Sequence, residues 1–185
     1  MQHNKTKTNV REMALIAVMA AVICVLGPLS IPIGVVPISF TNLAVYLAIY
    51  ALGRRRGTIS YLVYLLLGMI GVPVFSGFSG GVGRLFGPTG GYLIGFLFMA
   101  LLCGWFIDTF SCALVPSFAG MVLGTLVCYL FGTLWLSYQA GLTFSAALAA
   151  GVLPFVAGDL IKMAIAAVIG PQVRRQLARA GLLPK

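Results

Sequence analysis

The chain has 185 residues, of which 61% are hydrophobic and only 8% are charged, and its mean hydropathy is +1.07. A soluble domain carries roughly 25% charged residues, so this composition excludes an ordinary water-soluble protein. The net charge of +9 comes from basic residues in short clusters outside the apolar runs. This pattern favours membrane topology signals over nucleic-acid binding.

Six apolar runs follow one another along the chain, separated by links rich in proline, glycine or arginine. A membrane span needs about 20 mostly apolar residues, so a chain of this length has room for about six. Spans must satisfy their backbone groups internally, and long unbroken runs favour helices over the alternating strands of a barrel. The six runs cover residues 13–29, 40–52, 59–72, 89–107, 114–137 and 146–169.

The first run follows a basic tail and could be a signal peptide. It is long for one, and more membrane protein follows it, so we interpret it as the first span.

The basic clusters predict the orientation of the bundle. By the positive-inside rule they face the cytoplasm, and with six spans they place both termini there. Residues 1–185 are therefore expected to form a single all-α domain, a bundle of six transmembrane helices with both termini cytoplasmic. The clusters are Lys5, Lys7 and Arg11 before the first run, Arg54 to Arg56 after the second, and Arg174, Arg175, Arg179 and Lys185 after the sixth.

The sixth run contains an acid and a base three residues apart, Asp159 and Lys162. This spacing puts both side chains on one helix face. Ionisable groups inside a membrane are costly and usually mark a partner, a water-filled cavity or a ligand pathway. We interpret the pair as part of a substrate site, and the alternative is a structural ion pair that only fixes helix packing.

Other classes of site find little support. The stretch from Gly80 to Gly87 lacks the lysine and hydroxyl of a Walker A motif, and His3 is the only histidine, so neither nucleotide binding nor enzyme catalysis is expected. The four cysteines form no CxxC pair, so no metal or cofactor is expected. Arg84 is the single cation on the predicted outer side. It could attract an anionic solute or be an ordinary loop arginine.

Three motifs resemble the biotin-binding S components of energy-coupling-factor vitamin importers, the BioY family. They occur in the family's order within the six-span frame. They are Gly71 to Phe75 followed by the glycine-rich Gly77 to Gly83, then Gly87 to Leu93, and lastly Gly158 to Lys162.

The resemblance implies a membrane subunit of the bacterial inner membrane that captures biotin from outside. Its implied partners are a membrane coupling subunit and two cytoplasmic ATPases, in addition to the lipid bilayer. It also implies that Asp159 and Lys162 contact the ligand, and that the motif containing Thr89, Gly90 and Tyr92 shapes the pocket.

Further residues are candidates for the same functions. Phe75 and Phe78, with Tyr92, could supply the apolar walls that small-molecule sites require. The family usually carries a glutamine near the start of the second span, where this sequence has Phe40, Thr41 and Asn42, so Asn42 is the candidate contact there. Ala17 and Ala21, four residues apart on the first span, are expected to leave a groove for the coupling subunit.

Two other functions remain open from the sequence. A self-sufficient secondary transporter for a small solute would need Asp159 to titrate during a proton-coupled cycle. In a membrane scaffold, Asp159 and Lys162 would merely pair with each other.

Overall fold

The computed structural model describes residues 10–33 and 35–183, so the predictions for Lys5, Lys7 and Lys185 lie outside the described residues. The described part is a helical bundle with a two-stranded antiparallel hairpin between the first two helices. Three helices, α3, α4 and α6, are each long and apolar enough to cross a membrane. The elements are α1 Val10–Leu26, β1 Ser30–Ile31, β2 Ile38–Ser39, α2 Thr41–Met69, a 3-10 helix Val82–Arg84, α3 Gly90–Thr109, α4 Leu114–Ala140, α5 Phe144–Gly151 and α6 Leu153–Arg179.

Helix α2 is two antiparallel arms joined at Gly53. This residue has φ 80° and ψ 175°, a backbone conformation open essentially to glycine alone. A Cβ on Gly57 would lie 2.9 Å from Cα of Ile49, so the arm 54–69 folds back on the arm 41–52. The prediction that Arg54 to Arg56 form a link is therefore wrong. One glycine reverses the chain, and the arginines form the first turn of the second arm.

The sixth predicted run is divided into two helices. The short helix α5 begins after Thr143, whose hydroxyl accepts a hydrogen bond from the Ala146 N–H. The chain then leaves helical geometry at Val152, and α6 begins with Pro154 in its first turn. The predicted continuous span over residues 146–169 is therefore wrong at this point. Pro154 lacks an N–H and cannot continue the hydrogen bonds of α5, which explains a break just before it.

Glycines allow α3 and α4 to pack closely. A Cβ on Gly95 would lie 2.9 Å from Cα of Cys128, and one on Gly124 would lie 3.1 Å from the carbonyl oxygen of Met99. Gly91 faces Trp135 in the same way. The four-residue glycine spacing of α3 therefore brings two helix backbones together, as small residues commonly do in membranes.

Two acids and three arginines lie together at one end of the bundle. Asp108, at the end of α3, accepts hydrogen bonds from the backbone N–H of Arg54 at 2.7 Å and from Arg174 at 3.0 Å. Glu12 of α1 pairs with Arg56 at 2.8 Å. The hairpin and the 73–88 segment meet elsewhere, where the Gly77 N–H donates to the carbonyl oxygen of Pro28 at 3.0 Å. Arg54, Arg56 and Arg174 thus lie at a single end of the bundle.

Candidate ligand-binding cavity

A cavity lies beneath the hairpin and the 73–88 segment, between α2, α3, α4 and α6. It encloses about 810 Å³ of space between its atoms, with its opening included. Its walls are largely apolar, with a few polar side chains. The apolar walls are formed by residues such as Val36, Pro37, Phe75, Leu93, Phe96, Met99 and Phe155.

The ion pair predicted from the sequence lies in the wall of this cavity. Lys162 Nζ is 3.0 Å from Asp159 Oδ1, and the two residues are only 6% and 7% exposed. Lys162 also donates to the backbone carbonyl of Ser39 at 2.7 Å, which links α6 to the second strand of the hairpin. Tyr129 of α4 donates to Asp159 Oδ2 at 2.6 Å. The pair is therefore held from three elements, as a buried charged pair requires.

This arrangement leaves hydrogen-bonding capacity for a ligand. An ammonium has three donors, and the contacts to Asp159 and Ser39 use two of those of Lys162. A carboxylate has room for about four donors, and Asp159 receives one on each oxygen within the described part of the chain. The ring of Phe40 lies 5.8 Å from Lys162 Nζ and adds a cation–π contact. The site therefore offers an acceptor and a donor side by side in an apolar wall.

Three further predicted residues line the cavity with the pair. Asn42 is buried, and its side-chain oxygen accepts a hydrogen bond from the Leu43 N–H at 3.0 Å. Its amide N–H₂ group therefore points away from this backbone contact. Tyr92 donates to the carbonyl oxygen of Gly151 at 2.9 Å, so its ring position is fixed by the end of α5. Thr89 lies immediately before α3. All three line the cavity, and so does Phe75, whose ring is 2% exposed.

The remaining predicted site residues take different positions. Arg84 is exposed and lines the cavity, so its guanidinium is available at the rim. Phe78 is 67% exposed, with φ 54°, and does not line the cavity. Gly90 lies behind the wall, where a Cβ would collide with the carbonyl oxygen of Leu85. Gly90 therefore permits a close approach of the 73–88 segment to α3.

Sequence reasoning missed Tyr129 and the backbone carbonyl of Ser39. Tyr129 had one usable signal, since a tyrosine inside an apolar span needs a partner for its hydroxyl. The Ser39 contact had none, because any residue type carries a backbone carbonyl.

Comparison with known proteins extends these observations. The model of the BioY family matches residues 1–179. The biotin transporter BioY2 of Lactococcus lactis is 41% identical over 171 residues, covering 92% of this chain and 94% of that protein. A probable biotin transporter BioY of Pyrococcus horikoshii is 37% identical over 164 residues, covering 89% and 96%.

A solved structure has the same fold. The crystal structure at 2.1 Å of the S-component for biotin from an ECF-type ABC transporter superposes with a TM-score of 0.84 and 34% identity, covering 95% of each chain. This similarity confirms the prediction of an all-α, six-helix membrane protein. The orientation of its termini stays a prediction.

Proposed function

Since the chain belongs to the BioY family of biotin transporters, we propose that it is the substrate-binding subunit of an energy-coupling-factor importer and binds biotin in the cavity described above. The observation that carries this proposal is the buried Asp159–Lys162 pair in the wall of an otherwise apolar cavity. A buried ion pair contributes little stability compared with apolar packing, so a ligand explains its presence better than stability does.

The chemistry of biotin matches the cavity. Its ureido group has two N–H donors and one carbonyl acceptor, and its thiophane ring and chain are apolar. Asp159 accepts from the ureido N–H groups in this proposal, and the remaining donor of Lys162 serves the carbonyl. Asn42 offers a second polar contact through its amide. Phe75 and Tyr92 form walls against the apolar ring.

The ligand's carboxylate is proposed to face the rim. Arg84 is exposed there, and a guanidinium matches a carboxylate in geometry and charge. Thr89 offers a hydroxyl on the same wall. From their positions, Phe78 and Gly90 act indirectly, Phe78 on the outer surface of the 73–88 segment and Gly90 by permitting its close approach to α3.

The partners proposed from the family are a membrane coupling subunit and two ATPases. Ala17 and Ala21 are both exposed on α1, with Val18 and Val25 beside them. This face is small, apolar and available for another helix, which supports its assignment to the coupling subunit. In this orientation the arginine-rich end faces the cytoplasm and the cavity opens outward. The cell membrane of a bacterium is the proposed location.

The test of the site is the replacement Asp159→Asn. Loss of the carboxylate should weaken biotin binding more than tenfold, equivalent to about 1.4 kcal/mol, as measured by calorimetry on the purified protein. Asp108→Asn is the matched control, because it makes the same chemical change at the opposite end of the bundle and should leave the affinity unchanged. Melting of both variants without ligand separates binding from stability. Unchanged biotin affinity in Asp159→Asn would contradict the assignment.

A further inference from the structure

A second groove runs along the outside of the bundle, between the arm 54–69 of α2 and the last turns of α3. One ridge carries Arg54, Arg55, Thr58 and Ile59, and these positions repeat at helical spacing on one face of the arm. The facing ridge comes from the α3 residues Leu101, Trp105, Asp108 and Thr109, which also share one face.

The two arginines of this groove have no acidic side chain left to pair with. The whole chain contains three acids. Each forms an ion pair with a different basic residue: Glu12 with Arg56, Asp108 with Arg174, and Asp159 with Lys162. Asp108 does reach the groove, where its Oδ2 accepts from the backbone N–H of Arg54 rather than from a guanidinium. Two exposed positive charges therefore remain at this end of the groove.

Thr58 supplies an independent observation. It is 6% exposed and lines the groove, and its hydroxyl is buried without a hydrogen-bond partner within residues 10–33 and 35–183. A buried hydroxyl without a partner costs free energy, and helical threonines commonly bond back to the preceding turn instead. Thr58 lies four residues after Arg54 and three after Arg55, so it shares their face of the helix.

The α3 wall of the groove also carries two large apolar side chains that face outward. Leu101 is 38% exposed and Trp105 is 46% exposed, although both belong to a membrane-spanning helix. A tryptophan near the end of a span typically lies at the level of the lipid headgroups. A Cβ on Gly104 would lie 2.7 Å from Cα of Arg54, so the two helices are closest at this level. The groove is thus cationic at one end and apolar along its length.

We propose that this groove is a binding site for an anionic phospholipid. The phosphate is held by Arg54, Arg55 and the Thr58 hydroxyl, and an acyl chain lies against Leu101 and Trp105. Charge complementarity selects an anionic headgroup, and the adjoining apolar wall selects a lipid over a free anion. The site is separate from the biotin cavity, with which it shares no lining residue.

Trp105 provides the measurement. The chain has two tryptophans, so Trp135→Phe leaves Trp105 as the single reporter. This variant is reconstituted in phosphatidylcholine vesicles that contain a small fraction of phosphatidylglycerol with brominated acyl chains, which quench a tryptophan they touch. The extent of quenching should indicate that the site prefers phosphatidylglycerol to phosphatidylcholine by at least about fivefold. This factor corresponds to the ~1 kcal/mol that one arginine contributes near an anionic lipid surface.

Two double replacements, each removing two positive charges, identify the site. In the Trp135→Phe protein, Arg54→Gln combined with Arg55→Gln should abolish the preference for phosphatidylglycerol. Arg175→Gln with Arg179→Gln removes the same charge at the same end outside the groove and should retain it. Equal loss in both pairs, or no preference in the parent, would overturn the proposal. Should the first pair fail to fold, Thr58→Val is the second variant, with an expected loss of about threefold from one hydrogen bond; an unchanged preference there counts against the site.

Inorganic phosphate distinguishes the source of the anion. Millimolar phosphate, compared with chloride at equal ionic strength, should leave the quenching by brominated lipid unchanged. If phosphate instead displaced the lipid, the groove would be a site for a free anion and the lipid assignment would be wrong.

Discussion

Tyr129 connects the ion pair of α6 to α4, because its hydroxyl donates to Asp159 Oδ2 at 2.6 Å. Tyr129→Phe removes this donor and leaves a carboxylate oxygen with one partner fewer in an apolar wall. We expect the free energy of unfolding to fall by about 1–3 kcal/mol, measured by thermal melting in detergent without biotin. Tyr138→Phe on the same helix is the control, since Tyr138 is 82% exposed. Equal melting temperatures for the two variants would show that the hydrogen bond is unimportant.

At the level of single residues, the sequence singles out Asp159 and Lys162, because charges inside an apolar run have few explanations. The structure places both in the cavity wall, and their contact with a ligand stays a prediction. Their surroundings were not predictable, since Tyr129 and the Ser39 carbonyl reach them from elements far away in the chain. Phe78, a candidate for the cavity wall, does not line the cavity. An aromatic residue in a glycine-rich link can face either side, and the backbone turns this one outward at φ 54°.

Gly53 sets the geometry of α2, and its substitution tests that geometry. An alanine at φ 80° and ψ 175° is strained, so Gly53→Ala should lower the free energy of unfolding by about 1–3 kcal/mol. Gly158→Ala is the control, and it should change the free energy of unfolding in the opposite direction. Gly158 is helical and a Cβ there meets no neighbour within 4 Å, so its replacement should raise stability by about 0.5–1 kcal/mol.

Melting of the two glycine variants in the same detergent compares them directly. If Gly53→Ala were as stable as Gly158→Ala, the reversal at residue 53 would not depend on glycine.

The elements were predictable in number and character but not in their junctions. Apolar runs identify the helices because the bilayer demands them. The turn at Gly53 and the break at Val152 each occupy about one residue, which is too short to appear as a polar link. The sequence predicts the end of the second span at the arginines after Gly53, because polar residues usually mark a loop. Here they extend from a helical turn at the end of the bundle.

For the whole molecule, the separation of an arginine-rich end from the cavity is the feature with the widest consequences. Arg56 and Arg174 form their ion pairs at that end, and the hairpin and the 73–88 segment cover the cavity. The positive-inside rule predicts that the basic clusters face the cytoplasm, and this orientation stays a prediction. The cavity itself required the tertiary structure, because its walls come from five helices and two loops.

The exposed face of α1 is predicted to contact the coupling subunit. Replacement of both Ala17 and Ala21 by tryptophan should abolish co-purification with the coupling subunit, because the bulky rings prevent close helix contact. Biotin affinity should stay near that of the original protein. Ala157 and Ala164 are exposed alanines on α6 and serve as the matched double replacement. If coupling and biotin binding were lost together in the α1 variant, the alanines would serve internal packing instead.

Calorimetry of the purified chain, without any partner, against biotin and a panel of other vitamins tests the proposed function most directly. A binding subunit should take up one biotin per chain and give no heat of binding with the other vitamins. Absence of biotin binding by the folded chain, or equal binding of an unrelated vitamin, would contradict the proposal.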